Sequence, residues 1–336
     1  MIRRLCMLVA TLVALGLITA FPLAHGQTPI AVHHDSTDDS ATIQVPGLTR
    51  AVVVLHISDS HISVRDDKEA EYWQYSARMD DAYGKEQSHY RSGEKALPAA
   101  HFRGLMELAK TRKVDAIALT GDIVNNPSQS SVQYVSQALA ETGLRYLYIS
   151  GNHDWHYEGM AGSDNALRET WIEQRLLPLY AGRNPLCYAA QIDGINFVAI
   201  DDSTYQVDDK QLAFFEQELA RGLPTVLLLH IPVWTGKSAG KFAGGCGDPQ
   251  WGYEADSSYK TERRERWPKS GNLKSTAAFV DRVKTAGNLI AVLAGHTHGA
   301  RAETLSASAT QYVTRRACDG GYRMVTFAPA GQREGQ

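Results

Sequence analysis

Cysteine is scarce: 4 in 336 residues. That excludes a disulfide-rich scaffold and a thiolate-built zinc module. A basic excess is missing too, since 34 Lys and Arg stand against 37 Asp and Glu. With no Lys/Arg stripe there is no electrostatic footprint for nucleic acid, so neither a nuclease nor any other nucleic-acid partner is expected. No Pro-, Gly- or Ser-rich linker divides the chain, and no motif recurs at a fixed period. One large domain with insertions is the expectation. The glycines of the 240–247 stretch lack the spacing of a phosphate-binding loop.

The one long apolar run lies at the N-terminus. Arg3 and Arg4 precede Leu5 to Ala20, and Ala24-His25-Gly26 fits a small-x-small cleavage pattern. Residues 1–26 therefore read as a signal peptide for a periplasmic or secreted protein. The other reading is an uncleaved membrane anchor over residues 5–24, because the run approaches spanning length. Cleavage takes Lys plus Arg from 34 to 32 against 37 acids, a formal charge of −5. It also removes Cys6 and leaves Cys187, Cys246 and Cys318, enough for one disulfide. Residues 27–50, with His33, His34, Asp35, Asp38 and Asp39, read as a polar spacer ahead of a catalytic domain at 51–330.

Five apolar runs each end in residues that ligate metals or move protons. Residues 51–57 exit into Asp59 and His61. Residues 114–120 exit into Gly121-Asp122, and residues 146–150 into Gly151-Asn152-His153-Asp154. Residues 224–229 deliver His230, and Leu289 to Ala294 exits into Gly295-His296-Thr297-His298. Each run is short and apolar, and the first is rich in β-branched residues, which predicts buried strands. Asp59 and His61, like His296 and His298, are two apart and can face one cavity. Oxygen and nitrogen donors in this number, without thiolates, suit two first-row metal ions with open positions. Open α/β sheets bind ligands at the carboxyl ends of their strands, where all five motifs fall.

Helices are predicted over 97–113, 128–142, 165–180, 208–222 and 276–286, with a hairpin around Asp193-Gly194 and two or three antiparallel strands between 300 and 328. The acidic pair Asp201-Asp202 leaves another strand and is read as a loop or capping element. Two long excursions remain. Val64 to Lys95 carries Tyr72, Trp73, Tyr75, Tyr83 and Tyr90 and is a candidate substrate lid; Val233 to Ser275 is the second.

Asp-x-His, Gly-Asp, Gly-Asn-His-Asp, a strand-end His and Gly-His-x-His occur in that order from residue 59 to residue 298. This set resembles the calcineurin-like metallophosphoesterase superfamily. The resemblance implies a four-layer αββα β-sandwich flanked by helices, with two metal ions (Mn, Fe or Zn, divalent or mixed-valence) at one edge. By that resemblance Asp59, His61 and His298 would hold one ion, Asn152, His230 and His296 the other, and Asp122 would bridge. A metal-bridging hydroxide would attack phosphorus, with His153 meeting the phosphate or leaving group and Asp154 orienting its imidazole. The substrate implied is a small phosphate ester. Cyclic nucleotides and phospholipid head groups are alternative substrates, and a non-catalytic binding module is the rival from another class. Ile123-Val124-Asn125-Asn126 departs from the Asp-Arg-Gly ending of Ser/Thr protein phosphatases. Asn125 stands where purple acid phosphatases place a tyrosine ligand.

Overall fold

A computed structural model of the chain describes residues 28–236, 245–248, 260, 261, 265, 266 and 271–331. The segment read as a signal peptide and most of the second excursion, Trp251, Tyr253, Arg263, Arg264 and Trp267 included, lie outside the described residues.

Two six-stranded sheets form the centre. The first contains β1 (His33–Ser36), β2 (Ser40–Val45), β3 (Val52–Ile57), β6 (Ala116–Thr120), β7 (Tyr146–Ile149) and β16 (Arg323–Pro329), in the order β1-β2-β16-β3-β6-β7. The second contains β8 (Cys187–Ile192), β9 (Ile195–Ile200), β10 (Thr225–Leu228), β13 (Leu289–Ala294), β14 (Arg301–Thr304) and β15 (Thr310–Val313), in the order β14-β15-β13-β10-β9-β8. Two small hairpins, β4 (Gln87–Ser88) with β5 (Lys95–Ala96) and β11 (Lys260–Thr261) with β12 (Glu265–Arg266), stand apart. Strands β3, β6 and β7 run parallel, as do β9, β10, β13 and β15. Their carboxyl ends therefore share one edge in each sheet.

Strand periodicity divides the side chains of the second sheet between two cores. Phe197, Ala199, Val226, Leu228, Ala291 and Leu293 point into the core shared with the first sheet. Phe197 meets Phe327 of β16 edge-on there, ring centroids 5.8 Å apart. Val198, Ile200, Leu227, Leu229 and Val292 point the other way, onto Phe215 and Leu219 of α6 (Asp209–Ala220) and Phe279 and Val283 of α7 (Lys274–Thr285). The first sheet is covered by α2 (Pro98–Arg112) and α3 (Gln129–Thr142) through Phe102, Leu105, Met106, Val132, Val135 and Leu139. The layers are thus helix, sheet, sheet, helix, as the family resemblance implies.

Three expectations need correction. Residues 28–50 are no spacer, because β1 and β2 join the first sheet and Ala41, Ile43 and Val45 are buried on one face of β2. The alternation Ala-Thr-Ile-Gln-Val was the signal, set among polar neighbours that masked it. The helix expected over 165–180 is α4 (Asp164–Trp171), a π-helical turn over Ile172–Leu176, and α5 (Leu177–Tyr180). Pro178 lacks an N–H and crowds the carbonyl four residues back, so the ladder widens just before it. Finally, β16 does not continue the antiparallel run of β14 and β15 but crosses to the first sheet, between β2 and β3. Cys187, Cys246 and Cys318 form no disulfide.

Burial without a charge partner is tested at His56 on β3. It is fully buried, its Nε2 lies 2.8 Å from Thr120 Oγ1, and burial, reinforced by nearby Arg323, pushes its pKa down to about 3. The folded value is below the unfolded one. Its contribution is therefore intact above about pH 6.5 and is lost as pH falls from there toward 3. We expect His56→Gln to flatten the acid limb, recovering about 2 kcal/mol between pH 7 and 4.5 relative to wild type. Urea midpoints at the two pH values check this; equal slopes would contradict it.

Candidate metal centre

The five ligand motifs converge at the edge where the two sheets meet. Asp59 and His61 follow β3, Asp122 follows β6, Asn152 and His153 follow β7, His230 follows β10, and His296 and His298 follow β13. Ring and carboxylate atoms form overlapping groups within 4.8 Å: Asp59 with His61 and His298, Asp122 with His230 and His296, and His61 with Asp122 and His153. His298 Nε2 is 3.4 Å from Asp59 Oδ1. His230 Nε2 is 3.3 Å from Asp122 Oδ2 and 3.1 Å from Asn152 Oδ1. His61 Nε2 lies 4.0 Å from the same Asp122 oxygen, so Asp122 stands between the two sides.

The backbone carries strain at this edge. Among the described residues nine non-glycine residues have a left-handed φ, and five of them are Asp59, His61, Asp122, His296 and His298. Such conformations cost energy and gather where function demands a fixed side-chain direction. Close approach explains the glycines. A Cβ on Gly295 would enter Ser58 and Asp59, and one on Gly151 would enter the Asp122 carboxylate. Gly151 has no left-handed φ, so its role is to let two ligand loops touch rather than to turn the chain sharply.

The donor set fits cations. Asp59 and Asp122 are essentially buried, yet among the described residues no Lys or Arg pairs with either. Buried carboxylates require a counter-charge. Burial alone would raise both; the surrounding histidines outweigh it, bringing Asp59 down to about 2 and Asp122 well below its usual range. His230 Nδ1 is 2.8 Å from the Thr120 carbonyl, which can only accept, so Nδ1 carries a proton. Its Nε2 then faces two oxygen acceptors, Asn152 Oδ1 and Asp122 Oδ2. That convergence calls for a positive charge, and a metal ion satisfies all three lone pairs. Without one, a second proton does so: burial opposes it, but Asp122 prevails and lifts His230 to about 10. His61 Nε2 and His298 Nε2 likewise face each other at 3.3 Å.

Asp154 does not contact His153 through its carboxylate. Oδ2 accepts the N–H of Gly151 (2.7 Å) and of Asp122 (2.9 Å), and Oδ1 accepts that of Val124 (2.8 Å). The expected orienting role is thus replaced by another: Asp154 ties the β6 and β7 exits together through three backbone amides. Burial, with Asp122 nearby, raises it to about 7. His153 Nδ1 has no partner, and its backbone N–H donates to Asp122 Oδ1 at 2.8 Å.

Three neighbours were not assigned to the site from sequence. Asp202 Oδ1 accepts the N–H groups of His230 (3.0 Å) and Ile231 (3.1 Å), so one member of the acidic pair after β9 does reach the site, behind His230 rather than in it. Asp201 caps its own loop by accepting from Ser203 N at 2.9 Å. Tyr205, itself left-handed, places its hydroxyl 3.5 Å from His296 Nε2. Tyr83 lies flat on His61, ring centroids 4.0 Å apart at an interplanar angle of 9°. Neither tyrosine sits in a ligand motif, so only its place in a loop or excursion beside one could have marked it.

The calcineurin-like phosphoesterase profile matches residues 52–300, which span all five motifs. The chain belongs to that family. It is accordingly a metal-dependent phosphoric ester hydrolase, and the His/Asp groups mark a dinuclear metal site. Among solved structures, a dimetal phosphatase from Danio rerio aligns with 84% of this chain and 100% of its own at 10% identity, TM-score 0.51. A purple acid phosphatase from yellow lupin seeds aligns with 88% of this chain and 48% of its own, at 13% identity and TM-score 0.46. A 5'-nucleotidase from Candida albicans covers 87% and 47%, at 12% identity and TM-score 0.40. At such identities the likeness of the first is one of fold. No curated protein sequence matches the chain.

Proposed function

We propose that this phosphoesterase is exported and hydrolyses small phosphate esters with water as the acceptor. Asp59, His61 and His298 would hold one metal ion, Asn152, His230 and His296 the other, and Asp122 would serve both. When bound, two such ions supply Lewis-acid activation of water and of phosphoryl oxygens. Manganese, iron and zinc all suit the nitrogen and oxygen donors.

The chain's own residues do the rest. Asp59 and Asp122 offset the cations' charge in a site with no competing Lys or Arg ion pair among the described residues. Thr120 fixes the tautomer of His230, and Asp202 fixes its backbone. His153, buried against His61 with Nδ1 unpartnered, delivers a proton to the leaving alkoxide as the P–O bond breaks. The observation that carries this reading is the convergence of five strand exits on one site, with left-handed strain at Asp59, His61, Asp122, His296 and His298.

Export rests on the basic and apolar N-terminal sequence. Among the described residues no helix is long and apolar enough to cross a membrane. A hydrolysis panel of p-nitrophenyl phosphate, an alkyl phosphate, bis(p-nitrophenyl) phosphate and a cyclic nucleotide tests the reaction. Metal-dependent release of phosphate from the monoesters is expected. Turnover confined to the last two would shift the substrate class to diesters, and no turnover of any would remove the hydrolase reading.

A further inference from the structure

The excursion between β3 and α2, the candidate lid, is tied to the ligand loops through one buried carboxylate. Its helix α1 (Trp73–Tyr83) ends beside the metal centre. Asp80 on that helix is buried and gathers five donors. Oδ1 accepts from Ser63 Oγ (2.6 Å), Asn125 Nδ2 (3.3 Å) and Asn126 Nδ2 (3.4 Å). Oδ2 accepts from Ser76 Oγ (2.8 Å) and Arg65 (3.0 Å). Ser63 lies two residues after His61, and Asn125 three after Asp122. One carboxylate thereby bolts the helix to the loops that carry two ligands.

Tyr83 follows Asp80 by three residues and shares its side of the helix. It presents its ring face to His61, and the rings of His153 and His298 meet it edge-on, each with centroids 5.8 Å away. His61 Nδ1 has no hydrogen-bond partner. Ligating histidines are ordinarily oriented by a hydrogen bond from the second ring nitrogen. Here that hydrogen bond is missing and an aromatic face lies against the imidazole instead. We infer that Tyr83 is a positioning residue for His61, holding the imidazole by stacking in the orientation that one of the two metal ions requires. This rests on the two-metal reading above.

The test is Mn²⁺ binding to metal-free protein by titration calorimetry, for wild type, Tyr83→Phe and Tyr83→Leu. Phenylalanine keeps the stacked ring and should bind both ions as wild type does. Leucine keeps apolar bulk without the ring face and should weaken one of the two sites about 10-fold, leaving the other unchanged. The thermal midpoint of the metal-free leucine variant should match wild type, since Tyr83 is partly exposed at a helix end. Should leucine disturb the fold, Tyr83→Ala gives the same reading. Wild-type affinity at both sites in the leucine or alanine variant overturns the proposal while leaving the two-metal reading intact. A wild-type chain that binds no Mn²⁺ overturns both.

Discussion

His153→Ala should keep both metal ions and lose about 10²- to 10⁴-fold in kcat. His153 is 8% exposed, with its ring edge against His61 at 4.6 Å between centroids. Neither of the groups Asp59–His61–His298 and Asp122–His230–His296 needs it. The third group, His61–Asp122–His153, offers the competing role of a metal ligand. The two roles part in the measurements. A proton donor matters most when the leaving oxygen is a poor one, so the loss should be larger for an alkyl phosphate than for p-nitrophenyl phosphate. A ligand matters equally for both substrates and takes metal with it. Metal analysis of the purified variant, alongside kcat for the two esters, decides between them. Loss of an ion with equal decline on both esters would make His153 a ligand.

Asp122→Asn should cost at least as much, by a different route. Asp122 is the carboxylate shared by two of the ligand groups, with Oδ2 3.3 Å from His230 and 4.0 Å from His61. Its other oxygen accepts the His153 N–H. Asparagine can keep that last bond but brings no negative charge between the two ions. We expect metal content to fall below two per chain and hydrolysis to fall by about 10³-fold or more, equivalent to several kcal/mol of lost charge stabilisation. The metal-free variant should still unfold cooperatively, because the asparagine fills the same space. Two tightly held metals in Asp122→Asn would show that the ions do not depend on this residue.

The parts of the site written locally could be read from sequence. A buried strand that releases Asp-x-His or Gly-His-x-His marks its own end, and five such ends in a largely parallel fold must share an edge. What supports those residues is not local. Asp154 is adjacent to His153, and adjacency suggested a partnership; the nearby N–H groups of Gly151, Asp122 and Val124 claimed the carboxylate instead. Asp202 reaches His230 across 28 residues, and Tyr83 reaches His61 only because Asp80 bolts its helix in place. The β1–β2 hairpin was hidden for a related reason. β1 is a mostly exposed edge strand, and the interior face of β2 is only three residues long. The buried Arg323 then donates to the Thr37 and Ser40 carbonyls, joining residues nearly a whole chain apart.

These strand exits are proposed to form a dinuclear hydrolytic centre. Its most direct test is stepwise addition of Mn²⁺ to metal-free wild-type protein, with bound metal and p-nitrophenyl phosphate hydrolysis followed together. Uptake of two ions per chain is expected, with turnover rising as the pair fills. No uptake and no hydrolysis, with iron and zinc offered as well as manganese, would contradict it.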